Sequence, residues 1–247
     1  MKKNCNFRKG IFAVLVAASA VVGCSKSNND EPVTPPTPTD LGSYYMELTT
    51  EKNIGEKVNL YIGADKADEA GVWLDLNGNG KWDEGIDPKP TRLYNSIEYS
   101  LQAQTFRIYG KVKILNCTGN ELNALDISHN PALTNLYAVN NKISSIAHLE
   151  GIKDLKIDSH TLKNSLLPKG LSDLTVNETE GAPITNIDTS PFTELKSLFI
   201  INCKNLKSLD LSNNKKLMKL YIEGTSLTTL DLSQQPQLFQ LEVYSTP

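Results

Sequence analysis

From Val112 onward the apolar positions fall into one phrase, L-x-x-L-x-L, that returns seven times. It reads Val112/Leu115/Cys117, Leu133/Leu136/Ala138, Ile152/Leu155/Ile157, Leu171/Leu174/Val176, Leu195/Leu198/Ile200, Leu217/Leu220/Ile222 and Leu238/Leu241/Val243. Successive starts are 21, 19, 19, 24, 22 and 21 residues apart. A short apolar phrase recurring at that interval predicts a solenoid, in which each unit adds one strand to a parallel sheet and touches only its neighbours. Such a chain presents an open surface more readily than it encloses a reaction pocket.

Alternation along each strand turns the lattice residues inward and the residues between them outward, onto the concave face of the solenoid. The outward set is Asn135, Tyr137 and Val139; Asp154, Lys156 and Asp158; Asp173, Thr175 and Asn177; Ser197, Phe199 and Ile201; Lys219, Tyr221 and Glu223; Gln240, Glu242 and Tyr244. Tyr137, Phe199, Tyr221 and Tyr244 among polar neighbours have the make-up of an interface centre. Single exposed apolar residues are also common on idle surfaces.

Nine residues into each unit stands a residue placed to bond backbone groups as the chain leaves the strand: Asn120, Asn141, His160, Thr179, Cys203 and Thr225. These predict a ladder down the stack, with His160 as a rung. The return segments read Leu125-Asp126-Ile127-Ser128, Leu209-Asp210-Leu211-Ser212 and Leu230-Asp231-Leu232-Ser233, with the variant Ile187-Asp188-Thr189-Ser190. The combined phrase L-x-x-L-x-x-x-x-N-x-L-x-x-L-D-L-S-x-N resembles the repeat of bacterial leucine-rich-repeat surface lipoproteins and is similar to the internalin-like class. The likeness spans Val112 to Pro247 and is weakest between Leu162 and Gly181, where the L-D-L-S phrase is missing. It implies a leucine-rich-repeat solenoid with an irregular convex side. Asp126-x-Ser128 beside His129 has hydrolase-like composition, but Asp-x-Ser recurs without His in other units, as turn chemistry would.

Between 41 and 111 the alternation is two-residue, as in Val58-x-Leu60-x-Ile62 and Phe106-x-Ile108, which predicts a small antiparallel β module ahead of the repeats. It runs into the first repeat without a linker, so it is placed to cover the end of the solenoid. Within it, Asp75-Leu76-Asn77-Gly78-Asn79-Gly80-Lys81-Trp82-Asp83 puts side-chain oxygens at positions one, three, five and nine. With Asp75, Asn77, Asn79, Asp83 and the Lys81 carbonyl as ligands, and Glu84 or Asp87 as additions, the loop resembles extracellular calcium loops and implies a structural calcium ion. It departs from the EF-hand pattern at position twelve, which is Ile86. The other reading is a metal-free turn, for which Asn-Gly is favourable chemistry.

Lys2, Lys3, Arg8 and Lys9 precede an apolar run from Ile11 to Val22, the order of a secretory signal over residues 1–23. The run is short for a membrane span. Val21-Val22-Gly23-Cys24 resembles the lipobox of bacterial lipoproteins, which implies lipidation of Cys24 and membrane anchoring through acyl chains; an ordinary signal peptide is the alternative. Residues 24–40, rich in Pro and Thr, read as a disordered tether. Asn28-Asn29-Asp30-Glu31 within it is either solvated linker or the kind of acidic export signal that some surface lipoproteins carry.

Loss of the signal's four cations takes the net charge from −3 to −7, which argues against nucleic-acid binding. Cys117 and Cys203, four repeats apart, are too distant for a disulfide and read as buried thiols. The chain has no Gly-rich phosphate loop, zinc-spaced cluster or nucleophile elbow, so it does not read as an enzyme. The function implied is a lipid-anchored protein of the outer membrane or cell surface, binding a protein or glycan on its concave face. A scaffolding envelope lipoprotein, docking through an edge strand around Leu241, is the alternative. A sheet edge left open after the seventh strand would also invite self-association.

Overall fold

A computed structural model describes residues 44–179 and 183–246. The signal sequence, Cys24 and the tether lie outside the described residues.

The leucine-rich-repeat solenoid is the fold formed. Its antiparallel part contains β1 (Tyr45–Thr50), β2 (Lys57–Ala64), β3 (Trp73–Asp75), β4 (Ser96–Ser100) and β5 (Thr105–Tyr109). The repeats contribute β6 (Val112–Asn116), β7 (Leu122–Asp126), β8 (Asn135–Tyr137), β9 (Asp154–Asp158), the helix α1 (Ser159–Asn164), β10 (Asp173–Asn177), β11 (Ser197–Ile201), β12 (Lys219–Glu223) and β13 (Gln240–Tyr244).

Among the described residues, β13-β12-β11-β10-β9-β8-β6-β2-β4 form one nine-stranded sheet. Pairing is parallel from β6 to β13 and antiparallel where β2 meets β6 and β4. A second, antiparallel sheet runs β3-β5-β1-β7. The module and the first repeat therefore share both sheets: β6 extends β2, and β7, the first return segment, extends β1. Asn120 adds a two-way bond across this junction. Its Oδ1 accepts the Asn59 N–H at 2.7 Å and its Nδ2 donates to the Asn59 carbonyl at 2.8 Å. Between β5 and β6 the chain reverses at Gly110, with φ of 101°; a Cβ there would stand 2.7 Å from the Gly71 carbonyl oxygen, so only glycine fits.

One apolar core runs from Met46 and Leu48 through Leu115, Leu136, Leu155, Leu174 and Leu198 to Leu220. Identical lattice positions stack in register, as in Leu136 against Leu155, Leu155 against Leu174 and Leu198 against Leu220. This replaces the flanking caps that an isolated strand would need with burial against neighbours on both sides. Cys117 and Cys203 are buried free thiols, and burial pushes both up to about 12.

The ladder differs from its sequence expectation at the third unit. Asn141 accepts the N–H groups of Asn120 and Leu122 and donates to the carbonyls of Cys117 and Ala138. The next rung is Asp158, not His160. Its carboxylate accepts the N–H groups of Asn140 and Asn141, each at 3.1 Å, and the Thr179 hydroxyl at 2.9 Å. Asp158 is fully buried instead of facing outward. β9 ends in register with β10, and the helix that begins directly at Ser159 takes His160 out of the rung position; its ring Nδ1 has no protein partner.

A second ladder, on the return side, is formed by the residue two after the Asp-x-Ser serine. Asn130 donates to the Val112 carbonyl, Asn214 to the carbonyls of Thr189 and Phe192, and Gln235 to that of Leu211. The Asp-x-Ser pairs themselves are turns: Asp126, Asp188, Asp210 and Asp231 each accept the N–H of the serine two residues on, at 2.8–3.0 Å. These bonds, with the serine hydroxyls adding to them and forming the larger cause at Asp188, hold all four carboxyls below the usual carboxylate range. A depressed carboxyl adds stability above its unfolded pKa, and that stability is lost as pH falls through the folded value.

Candidate functional site

The open face of the nine-stranded sheet collects the outward side chains into rows set by strand register. One row runs Asn135, Asp154, Asp173, Ser197, Lys219 and Gln240; the next runs Tyr137, Lys156, Thr175, Phe199, Tyr221 and Glu242. Leu136, Leu155, Leu174, Leu198 and Leu220 behind them are buried. Asn135, Tyr137, Asp154, Asp173, Thr175, Ser197, Phe199, Lys219, Tyr221, Glu223 and Glu242 are half-buried, while Lys156 and Tyr244 are exposed.

These side chains also order one another. The Tyr137 hydroxyl donates to Asp154 Oδ2 at 2.5 Å, and the Asn135 side-chain amide adds a bond of 3.3 Å to the same oxygen. Burial, followed by the adjacent Asp154 carboxylate, pushes the Tyr137 phenol up to about 12. The Lys156 ammonium lies 4.6 Å from the centre of the Tyr137 ring, a cation–π contact. Farther along, Phe199 and Tyr221 stack with centroids 5.7 Å apart, and Tyr221 meets Tyr244 at 5.7 Å in a tilted contact. The Tyr221 hydroxyl donates to Glu223 at 2.6 Å, which is the first cause holding its phenol at about 12. Both phenols therefore remain neutral donors at physiological pH. The face is a pre-ordered array of rings and carboxylates.

In the antiparallel module, Asp75 is fully buried and accepts the N–H groups of Asn79 at 3.1 Å and Gly80 at 2.8 Å. Asn77 and Asn79 turn their side-chain nitrogens to Asp83 Oδ2, at 2.8 and 2.5 Å, and their oxygens to the backbone N–H groups of Asn79 and Lys81. Asp87, not Glu84, joins the group: it is buried and accepts the N–H groups of Leu76 and Asp83. Burial, then the charges of Asp75 and Asp83, raise its carboxyl above the usual range. Gly78, at φ of 70°, leaves room for the Thr105 carbonyl oxygen, which a Cβ would meet at 2.4 Å. Among the described residues no group of three or more His, Cys, Asp or Glu is disposed to hold a metal ion. The loop closes on its own hydrogen bonds.

In the Asp126, Ser128 and His129 cluster the Ser128 hydroxyl and His129 Nδ1 share a hydrogen bond of 2.9 Å. Asp126 accepts the Ser128 N–H instead of orienting the imidazole, whose ring stacks on Tyr45 with centroids 4.4 Å apart. Sequence reasoning missed Tyr61, Tyr94, Ile114 and Asn116, which share the open face; the alternation of Val58, Leu60 and Ile62 marks Tyr61 as facing away from the core, but only the pairing of β2 with β6 puts it beside the repeats.

No protein-family model matches the chain, and no curated protein matches it significantly. Among solved structures it is similar to the functional domain of InlJ from Listeria monocytogenes, which is described as including a cysteine ladder. The identity is 25% and the TM-score 0.41, over 54% of this chain and 35% of that one, so the chain spans about a third of the protein it resembles.

Proposed function

We propose that this chain is a lipid-anchored recognition protein of the bacterial outer membrane or cell surface, holding a protein or glycan on the open face of its long sheet and performing no catalysis. The observation that carries the reading is the face itself: rings and carboxylates on β8, β9, β11, β12 and β13, ordered by one another on the open side of the sheet. An ordered face loses little side-chain entropy when a partner settles on it. The experiment is a screen of the chain against arrayed proteins and glycans beside a Phe199→Ala, Tyr221→Ala variant. Capture by the parent and loss by the variant is expected; capture unaffected by the variant rejects the face.

In the scaffolding reading an envelope partner docks on β13, around the lattice residues Leu241 and Val243. Docking of an envelope partner against that edge would show in the screen as capture lost on Leu241→Asp and kept in the face variant.

Anchoring is supported by the lipobox-like sequence at Cys24. The mature protein is expected to begin at Cys24 and to fractionate with membranes, and Cys24→Ala should release it or leave an unprocessed precursor. Membrane fractionation of a cleaved Cys24→Ala protein, equal to the parent, would reject the anchor.

For the Asp75–Asp87 loop we extend the reading to a structural calcium ion, supported by its oxygen-rich donor set. A cation would have to displace the two amide nitrogens from Asp83, so affinity is modest. Calcium should stabilise the folded chain by RT ln(1 + [L]/Kd) and so raise its melting temperature, and Asp83→Asn should remove the increment. Asp75 is the wrong residue to replace, because its carboxylate supports two backbone N–H groups with or without metal. Equal calcium responses of parent and Asp83→Asn would leave the loop as a plain turn.

A further inference from the structure

The open face does not stop at the repeats. Tyr61 on β2 stands opposite Asn116 on β6, and Gly63 opposite Ile114; β6 carries these positions on to Tyr137 and Asn135. Directly opposed residues of paired strands share a face, so Tyr61 lies on the same surface as Tyr137. The bare backbone at Gly63 is covered by the Tyr94 ring, whose Cε1 would stand 2.8 Å from a Cβ at that position. Tyr94 holds a left-handed φ of 63°, donates its hydroxyl to the Ala64 carbonyl, and meets Tyr61 edge-on at 6.4 Å. A non-glycine aromatic residue in that backbone conformation is uncommon. The residue is nevertheless 44% exposed.

The face therefore has an aromatic group at each end, Tyr61 with Tyr94 and Phe199 with Tyr221. They are separated by five to six strand spacings, roughly 24–29 Å. Between them Asp154 and Asp173 stand side by side in register on β9 and β10. Among the described residues neither carboxylate has a Lys, Arg or His nitrogen within 4 Å. The two lysines of the face are turned onto rings, Lys156 onto Tyr137 and Lys219 onto Phe239.

We propose that the N-terminal module forms part of the docking surface, and that the occupant is an extended basic segment of a partner protein. Its Lys or Arg side chains lie over Asp154 and Asp173, and apolar or aromatic side chains flank them at both ends. The proposal rests on the reading of the open face as the binding surface and narrows it from protein or glycan to protein. Uncompensated carboxylates are matched by cations, which neutral and acidic glycans do not offer. The phenol hydroxyls that a sugar would use are already donating to Asp154 and Glu223. At about 3.3 Å per residue, an extended segment of roughly eight residues spans the two aromatic groups.

The test is selection of a displayed library of random twelve-residue peptides on the full chain. Enriched sequences should carry Lys or Arg between apolar or aromatic positions. Capture of those peptides should fall at least tenfold in Tyr61→Ala and in Asp173→Lys, a charge reversal at a half-buried side chain, with melting temperatures near that of the parent. Enrichment of acidic or uncharged sequences, or no enrichment, overturns the proposal. So does capture of neutral oligosaccharides that the same variants lose. Peptide capture lost in Phe199→Ala, Tyr221→Ala but indifferent to Tyr61→Ala overturns the module's role and keeps the repeat face as the binding surface; capture indifferent to all these variants removes both.

Discussion

Leu220→Ala is expected to cost about 2–5 kcal/mol of stability, while Tyr221→Ala beside it costs only about 1 kcal/mol. Leu220 is 1% exposed and stacks in register between Leu198 and Leu241, so shortening it opens a cavity that its neighbours can close only by shifting two adjacent turns. Tyr221 loses ring contacts with Phe199 and Tyr244 and a hydrogen bond to Glu223, all of them on the solvent side of the sheet. The expected outcome in denaturant unfolding is a large shift in midpoint for the first variant and a small one for the second. Comparable losses would mean that the sheet face and the lattice do not divide binding from stability in this way.

The second large effect is at Asp158. Replacing it with Ala removes the acceptor for the Asn140 and Asn141 N–H groups and for the Thr179 hydroxyl. The Asn141 bond is buried and the other two are part-buried; a buried donor left without a partner costs about 1–3 kcal/mol, and donors that water can reach cost less. A loss of about 2–5 kcal/mol follows, with a smaller loss in Asp158→Asn, which keeps one acceptor oxygen. Amide exchange reads the effect locally, because protection at Asn140 and Asn141 should collapse before that of the neighbouring strands. His160→Ala should leave those amides protected. The opposite pattern would restore His160 to the ladder.

The leucine lattice was legible because it is a local signal repeated seven times, and burial of Leu115, Leu136, Leu155, Leu174, Leu198 and Leu220 follows from it directly. The outward residues were legible for the same reason, by alternation. Asp158 was not: alternation places it outward, and where the chain passes directly into α1 its carboxylate turns instead onto the Asn140 and Asn141 N–H groups of the preceding turn. The return-side ladder of Asn130, Asn214 and Gln235 had a visible signal in the side-chain amide, Asn or Gln, two residues after the Asp-x-Ser serine, and its physical role follows from the carbonyls that a tight return leaves unpaired. The reach of the open face into the module depended on a non-local fact, the antiparallel pairing of β2 with β6, that no window of sequence contains. Asp87 was recognised only as an addition to the Asp75 loop because its place in the group depends on how the chain turns back after Asp83.

The central claim, that the open face of the long sheet is where a partner sits, is tested most directly by tyrosine footprinting of the chain with a partner recovered from the array. The chain has nine tyrosines, and the face displays Tyr137 and Tyr221 while Tyr44 and Tyr45 belong to the other sheet and its approach. Binding is predicted to shield Tyr137 and Tyr221 from modification and to leave Tyr44 and Tyr45 as reactive as in the free chain. Shielding confined to Tyr44 and Tyr45, with Tyr137 and Tyr221 unchanged, would contradict the account.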